Sequence, residues 1–124
     1  MLKEIIKENQ LISESHFPVK IIFNEIENER FLDVIKVVCN GEGFGVEAGA
    51  CLFPNDLDAC DIAQGNGFVG VEFGLYSGEE IVITYKEFYF YLEIICESYL
   101  IDFPEEKEFV KEKLRNYRKL YSIK

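Results

Sequence analysis

The sequence has few of the side chains that carry enzymatic chemistry. His16 is the only histidine among the 124 residues. No recognisable serine or cysteine motif accompanies it, so we expect no Ser-His or Cys-His catalytic pair, because such a nucleophile needs a neighbouring base. We predict that His16 is a solvated or packed loop residue and that the protein is not an enzyme.

Closely spaced cysteines are also missing. The four cysteines, Cys39, Cys51, Cys60 and Cys96, form no C-x-x-C pair. This spacing argues against a zinc or redox site. We expect free, buried thiols in a reducing cytosol.

Long apolar runs do not occur either. No run approaches the roughly 18 residues that cross a bilayer, and charges interrupt the first segment, "MLKEIIKENQ". We expect neither a signal peptide nor a membrane span, and therefore a cytoplasmic protein with no membrane partner.

Basic residues are scarce, above all in the middle of the chain. Thirteen lysines and arginines stand against 23 acidic residues, which gives a net charge of −10. Residues 42–102 hold twelve acids and one base, Lys86, whereas residues 103–124 hold four acids and seven bases. Because phosphate contacts need basic side chains, we expect no direct binding of nucleic acid and instead a basic protein partner.

Apolar residues are plentiful, at 48% of the sequence, and 15% of the residues are aromatic. A chain of this length and composition can bury one core, so we expect a single domain over residues 1–124. Residues 1–17 are weakly patterned, and we expect loose packing there. From Pro18 the helical spacing of Val19, Ile22, Phe23 and Ile26 predicts a helix.

The helical pattern continues through "NEIENERFLDVIKVVCNGEG", as one helix or as two helices broken near Asn28, and Gly41 is a suitable C-terminal cap. Beyond Gly41 the pattern changes to strands. "GFGVEAGACLF", "FVGVEFGLY" and "EEIVIT" predict an antiparallel meander. The polar segment "PNDLDACDIAQGNG" predicts a loop of about a dozen residues.

Two helices follow the predicted meander. "TYKE" fits a capping box in which Thr84 and Glu87 mark the start of the first helix. Pro104 marks the start of the second, whose predicted buried face holds Val110, Leu114, Tyr117 and Tyr121. The fold class is therefore α+β: a small antiparallel sheet of about three or four strands packed by N-terminal and two C-terminal helices.

Two loops resemble cofactor sites only superficially. "GEGFG" follows a helix, whereas a dinucleotide fingerprint follows a strand. A calcium loop beginning at Asp56 would place Asp61 at position six, where glycine is needed, and Gly67 at position twelve, where glutamate is needed. We expect no metal and no cofactor.

The middle segment supplies a candidate contact surface for a basic partner. The acidic side chains of this segment form either an ordinary solvated face or a surface that attracts a cationic partner. The nearby aromatic residues Phe53, Phe68 and Tyr76 either belong to the core or anchor the contact. A third hypothesis is that Asp58 and Glu72 are the paired carboxylates of a hydrolase. It requires that at least one of these carboxyl groups has a strongly raised pKa in a closed pocket. The six carboxylates of the predicted surface are Asp56, Asp58, Asp61, Glu72, Glu79 and Glu80.

Three segments resemble the immunity proteins of contact-dependent growth inhibition systems that neutralise ribonuclease toxins. They are "GEGFGVEAGACLFPNDLDACD", "FVGVEFGLYSGEEIVITYKEFYFYLEIICESYL" and "FPEEKEFVKEKL", and the resemblance covers about residues 19–121. It implies a small α+β protein that binds a cognate ribonuclease toxin over its basic RNA-binding cleft. The implied toxin is EndoU-like first and RNase A-like second. The alternative is an acidic adaptor for another basic protein.

Overall fold

The computed structural model describes residues 4–65 and 67–123, with the side chain of Asp61 outside the described part. Its α-helices are α1 (Phe17–Asn24), α2 (Asn28–Val38), α3 (Ala59–Ala63), α4 (Tyr85–Asp102) and α5 (Lys107–Leu120). Its strands are β1 (Phe44–Gly45), β2 (Gly49–Leu52), β3 (Val71–Leu75) and β4 (Glu80–Ile83). Short 3-10 turns cover Glu8–Gln10, Glu14–His16, Pro54–Asp56 and Pro104–Glu106. The predicted α+β class is confirmed.

The four strands form one antiparallel sheet in the order β1-β2-β3-β4. In the central pairs, Cys51 lies opposite Phe73, and Phe73 lies opposite Ile81. Strand neighbours in space are also neighbours in sequence, which confirms the predicted meander. The second predicted strand segment, "FVGVEFGLY", begins later than expected, because Phe68 and Val69 precede β3 as irregular chain.

The N-terminal segment is pinned more firmly than its weak pattern suggested. Ile6 is completely buried. The side-chain oxygen of Asn24 in α1 accepts hydrogen bonds from the backbone N–H groups of Ile5 (2.8 Å) and Ile6 (2.9 Å). One amide side chain therefore satisfies two backbone donors that no helix or strand would pair.

The apolar pattern from Pro18 predicted either one helix or two helices broken near Asn28, and the structure has two. α1 ends at Asn24 and α2 begins at Asn28. After α2, Gly41 adopts a positive φ of 79°. Its N–H donates to the carbonyl of Val38, and the N–H of Glu42 donates to Val37. This left-handed termination is the reason that a glycine follows the helix.

Phe88 is the centre of the core, between the helices and the sheet. Its ring lies 5.9 Å from that of Phe23 in α1, 5.4 Å from Phe53, 5.8 Å from Phe73 in β3 and 5.7 Å from Tyr117 in α5. All five of these side chains are fully buried. Rings at such separations in tilted or edge-on arrangements add to the free energy of area burial. The core therefore occupies one face of the sheet.

The capping box at the start of α4 is confirmed. The Thr84 hydroxyl accepts from the N–H of Glu87 at 3.0 Å, and the Glu87 carboxylate accepts from the N–H of Thr84 at 2.9 Å. The start of the last helix differs from the prediction, because residues 104–106 form a 3-10 turn before α5. Val110 and Tyr117 are buried as predicted, whereas Leu114 and Tyr121 are only half-buried.

All four cysteines are free, and three of them, Cys39, Cys51 and Cys96, are buried. Burial raises the pKa of the Cys39 thiol to about 12 and that of Cys51 well above its ordinary value. The prediction of buried thiols is wrong for Cys60, which is exposed in α3. None of the described helices combines the length and the apolar character needed to cross a bilayer.

Candidate functional site

One face of the sheet is turned away from the helices and carries two of the candidate carboxylates, Glu72 and Glu80. Strand alternation directs Cys51, Val71 and Phe73 into the core, and their neighbours outward. We call the outward side the open face. Its strand residues are Gly45, Ala50, Leu52, Glu72, Gly74, Glu80 and Val82.

The open face has a row of small residues that crosses the strands. Gly45 lies opposite Ala50, and Ala50 lies opposite Gly74. Gly74 in turn lies opposite Glu80. A Cβ atom added to Gly74 would meet only the Cβ of Glu80, at an ordinary contact distance of 3.8 Å. The row is therefore a shallow trough that ends at a carboxylate.

The next row of residues on the open face has larger side chains, and two of the three are apolar. Leu52 lies opposite Glu72, and Glu72 lies opposite Val82. Glu72 is half-buried, and burial, followed by the nearby charge of Glu80, raises the pKa of its carboxyl. Glu72 and Glu80 are diagonal neighbours on adjacent strands, a spacing at which like charges still repel.

The turn between β3 and β4 continues the open face at one end. The N–H of Tyr76 donates to the carbonyl of Ala48 at 2.9 Å, which extends the pairing of β3 with the β1–β2 hairpin. The Tyr76 side chain is 74% exposed. Gly78 has a φ of 116°, and the Ser77 hydroxyl donates to the Glu79 carboxylate. That hydrogen bond lowers the pKa of the exposed Glu79 carboxyl.

Asp56 differs from the other predicted contact residues because its carboxylate organises the backbone. One carboxylate oxygen accepts from the N–H of Phe53 at 2.6 Å and from the N–H of Gly43 at 3.0 Å. A Cβ atom on Gly43 would lie 2.0 Å from the carbonyl oxygen of Cys51. Asp56 thus joins the loop after β2 to the chain before β1, at a close approach that only glycine allows.

The segment predicted as a loop of about a dozen residues contains regular structure. The turn Pro54–Asp56 and helix α3 replace an irregular loop. Asp58 is exposed immediately before α3, and its carbonyl accepts from the N–H of Ile62 at 3.2 Å. Asp61 belongs to the backbone of α3, and its side chain lies outside the described residues.

No basic side chain interrupts this acidic part of the sequence. Between Lys36 and Lys86 there is no lysine, arginine or histidine, whereas eight aspartates and glutamates fall in that interval. The structure brings Glu72 and Glu80 together on the open face, whereas Glu79 lies in the turn just before β4. Arg30 of α2 reaches the edge of this face, where its guanidinium donates to the carbonyl of Gly45 at 3.1 Å. The centre of the face is acidic, and an excess of negative charge attracts cationic proteins over several ångströms.

The aromatic candidates have three different environments. Phe53 is fully buried, so it is a core residue and does not anchor a contact. Phe68 is half-buried, and Tyr76 is exposed. The sequence reasoning missed two exposed valines, Val69 (85%) and Val82 (42%). The alternation of "EIVIT" could have identified Val82, because it shares the side of Glu80.

His16 is a buried residue that contacts Tyr91 of α4. It is 7% exposed, and its Nδ1 lies 2.8 Å from the Tyr91 hydroxyl, which also accepts from the N–H of Ile12 at 2.9 Å. This confirms the prediction of a packed residue. Among the described residues, no group of three or more histidines, cysteines or acids is placed to hold a metal ion. Glu72, the carboxylate of the hydrolase reading with a raised pKa, lies on an open face and not in a closed pocket.

A family model described as CDI immunity protein, for contact-dependent growth inhibition, matches residues 8–114. The chain belongs to this family of immunity proteins. The match covers α1, α2, the whole sheet and α4, together with more than half of α5. The immunity protein is therefore an inhibitor of a toxin and not an enzyme, and its implied partner is the cognate toxin. No curated protein matches this immunity protein significantly.

Proposed function

We propose that this immunity protein neutralises a ribonuclease toxin by covering its basic RNA-binding cleft. The observation that supports the proposal is the pair of carboxylates on the open face, where Glu72 and Glu80 are diagonal neighbours and Glu79 stands just before β4. A ribonuclease cleft needs cationic side chains to hold phosphates, so carboxylates can occupy it in place of RNA. The toxin class we favour is EndoU-like first and RNase A-like second.

We keep all six carboxylates in the proposed contact set and assign them different roles. Glu72 and Glu80 supply the charge of the open face, Glu79 adds a charge at the turn before β4, and Asp58 adds one before α3. Asp61 stays in the set as a prediction from the sequence, because its side chain lies outside the described residues. Asp56 shapes the backbone through its bonds to Phe53 and Gly43. The chain acts as one binding domain in the cytoplasm, where it meets a toxin that has entered the cell.

The direct test is co-expression of the cognate toxin domain with and without the immunity protein, scoring growth and the integrity of cellular RNA. We expect the toxin alone to stop growth and degrade RNA, and the pair to grow with intact RNA. The complex should weaken as salt rises, because exposed charges are screened. Intact RNA in cells killed by the toxin alone would exclude a ribonuclease.

A matched pair of variants tests where the charge acts. Glu79→Lys/Glu80→Lys changes two exposed carboxylates, one at the turn and one on the open face, whereas Glu105→Lys/Glu108→Lys makes the same change of net charge at the start of α5. We expect the first pair to slow association by about tenfold or more and the second to change it little. Equal effects would show that only net charge matters.

The second candidate function is an acidic adaptor for another basic protein. The same pair of carboxylates on the open face favours it, since electrostatic attraction does not distinguish a nuclease from other cationic proteins. The two functions predict different results when the chain is mixed with its cognate toxin domain. An adaptor leaves the nuclease active, whereas an immunity protein abolishes RNA cleavage at equimolar amounts.

A further inference from the structure

We infer that the toxin domain docks directly on the open face, with a long basic side chain lying along the trough and with Tyr76 and Val82 as the contacts that determine affinity. This inference rests on the proposed function, because it takes the partner to be a basic protein. It goes beyond that function by naming apolar contacts, which the carboxylate set does not include.

The first argument is the shape of the face. The trough of Gly45, Ala50 and Gly74 lies between the row formed by Leu52, Glu72 and Val82 on one side and Tyr76 on the other. Alternation along β3 puts Tyr76 on the same side as Glu72 and Gly74, and its bond to Ala48 maintains the pairing at that point. The trough is thus flanked by two apolar side chains and one carboxylate on one side and by the Tyr76 ring at the end of β3 on the other.

The second argument is the exposure of two apolar side chains beside the trough. Val82 in β4 is 42% exposed, and Tyr76, immediately after β3, is 74% exposed. Tyrosine is enriched among the residues that carry binding energy, because it buries a large area with few rotatable bonds. A partner that covers this face removes both side chains from water.

The third argument is charge complementarity, which selects the occupant. Glu80 ends the trough, and Glu72 lies diagonally next to it with its carboxyl partly desolvated. An arginine or lysine side chain has an aliphatic stem that suits the walls and a cationic head that suits these two carboxylates. A second copy of this chain would instead bring its own acidic open face against them.

The inference assigns different kinetic roles to the two kinds of residue. Carboxylates act at a distance and raise the association rate, whereas Tyr76 and Val82 act only after contact and lower the dissociation rate. Neutral changes in the trough should therefore leave the salt dependence of association unchanged while shortening the lifetime of the complex.

Gly74→Gln is the sharpest test, because it fills the trough without changing charge. The backbone of Gly74 has no positive φ, and a Cβ atom there meets no backbone closer than ordinary contact. We expect the dissociation rate of the toxin complex, measured by surface plasmon resonance, to rise about tenfold or more. Tyr76→Ala and Val82→Ala should each raise it several-fold. Ile101→Ala, at a 76% exposed apolar position in α4, is the matched control and should match wild type.

Thermal unfolding of each variant shows whether it is folded, and the exposed positions 76 and 82 carry the test if Gly74→Gln lowers stability. Wild-type kinetics for Tyr76→Ala and Val82→Ala, in a complex that the wild-type protein forms and that inhibits RNA cleavage, would overturn this inference alone. A wild-type protein that forms no salt-sensitive complex with its toxin would overturn the proposed function, and this inference with it.

Discussion

The two sides of the sheet are built from different materials. The side facing the helices is an interlocked set of large rings, in which Phe88 contacts Phe23, Phe53, Phe73 and Tyr117. The open face has glycine and alanine in its centre, with carboxylates, a tyrosine and a valine around them. The ring cluster buries a large apolar area, whereas the open face keeps small residues and carboxylates in contact with solvent. The comparison teaches that one side of these strands provides stability, which leaves the opposite side free for the recognition that we propose.

The largest expected effect comes from breaking the ring cluster. Phe88→Ala should lower the free energy of unfolding by about 3 to 5 kcal/mol, because it removes a fully buried ring and leaves a cavity. Protection against the toxin should then fail because the protein unfolds. Urea unfolding measures the loss. Phe90→Ala, on the same helix but 44% exposed, is the control and should cost much less.

A substitution of Asp56 tests whether this residue stabilises the fold or contacts the toxin. Asp56→Ala should lower the free energy of unfolding by about 1 to 2 kcal/mol, because the N–H groups of Phe53 and Gly43 lose their acceptor. Glu80→Ala makes the same change of charge on the open face and should leave stability nearly unchanged. If both variants were equally stable and equally weak in toxin binding, Asp56 would be an ordinary contact residue.

The smallest expected effect is a pH-dependent one at Glu72. Its pKa is raised in the folded protein, so the ionised carboxylate destabilises the fold above that pKa, and the penalty disappears as pH falls through it. Glu72→Gln should therefore raise the melting temperature slightly near pH 7.5 and lose this advantage below about pH 4. Toxin binding should weaken in the same variant, which separates recognition from stability.

Glu79→Gln is the control with the opposite sign. The pKa of Glu79 is lowered by the Ser77 hydroxyl, so its ionised form favours the folded state at neutral pH, and this contribution is lost as pH falls. The variant should melt slightly below wild type near pH 7.5. Identical shifts for both glutamines would mean that net charge alone sets the pH dependence.

The sequence carried enough information for the sheet and for the main helices, because local patterns determine them. Alternation around Val71 and Phe73 predicted β3, and the Thr84 capping box located the start of α4 to the residue. Helix α3 was missed because five residues give no helical period to detect. Burial of Phe53 was also undecided, since a single ring after a short strand has no pattern of its own.

The site was less predictable, because its properties depend on tertiary pairing. The bond between Asp56 and Gly43 spans 13 residues and has no sequence signature. The trough depends on the register that puts Gly45, Ala50 and Gly74 in one row. The excess of acid in the middle segment was visible from the start. The direction in which each carboxylate points required the strands to be paired.

The packing of the last helix against the centre of the fold has a consequence for how the protein is made. The Tyr117 hydroxyl donates to the carbonyl of Tyr85 at 2.7 Å, and Tyr121 stacks on Tyr85 with ring centres 4.0 Å apart. A nascent chain on the ribosome lacks these partners until translation has passed α5. Its Phe88 ring is left partly uncovered until then, so we expect an interrupted product to be more sensitive to proteases than the full chain.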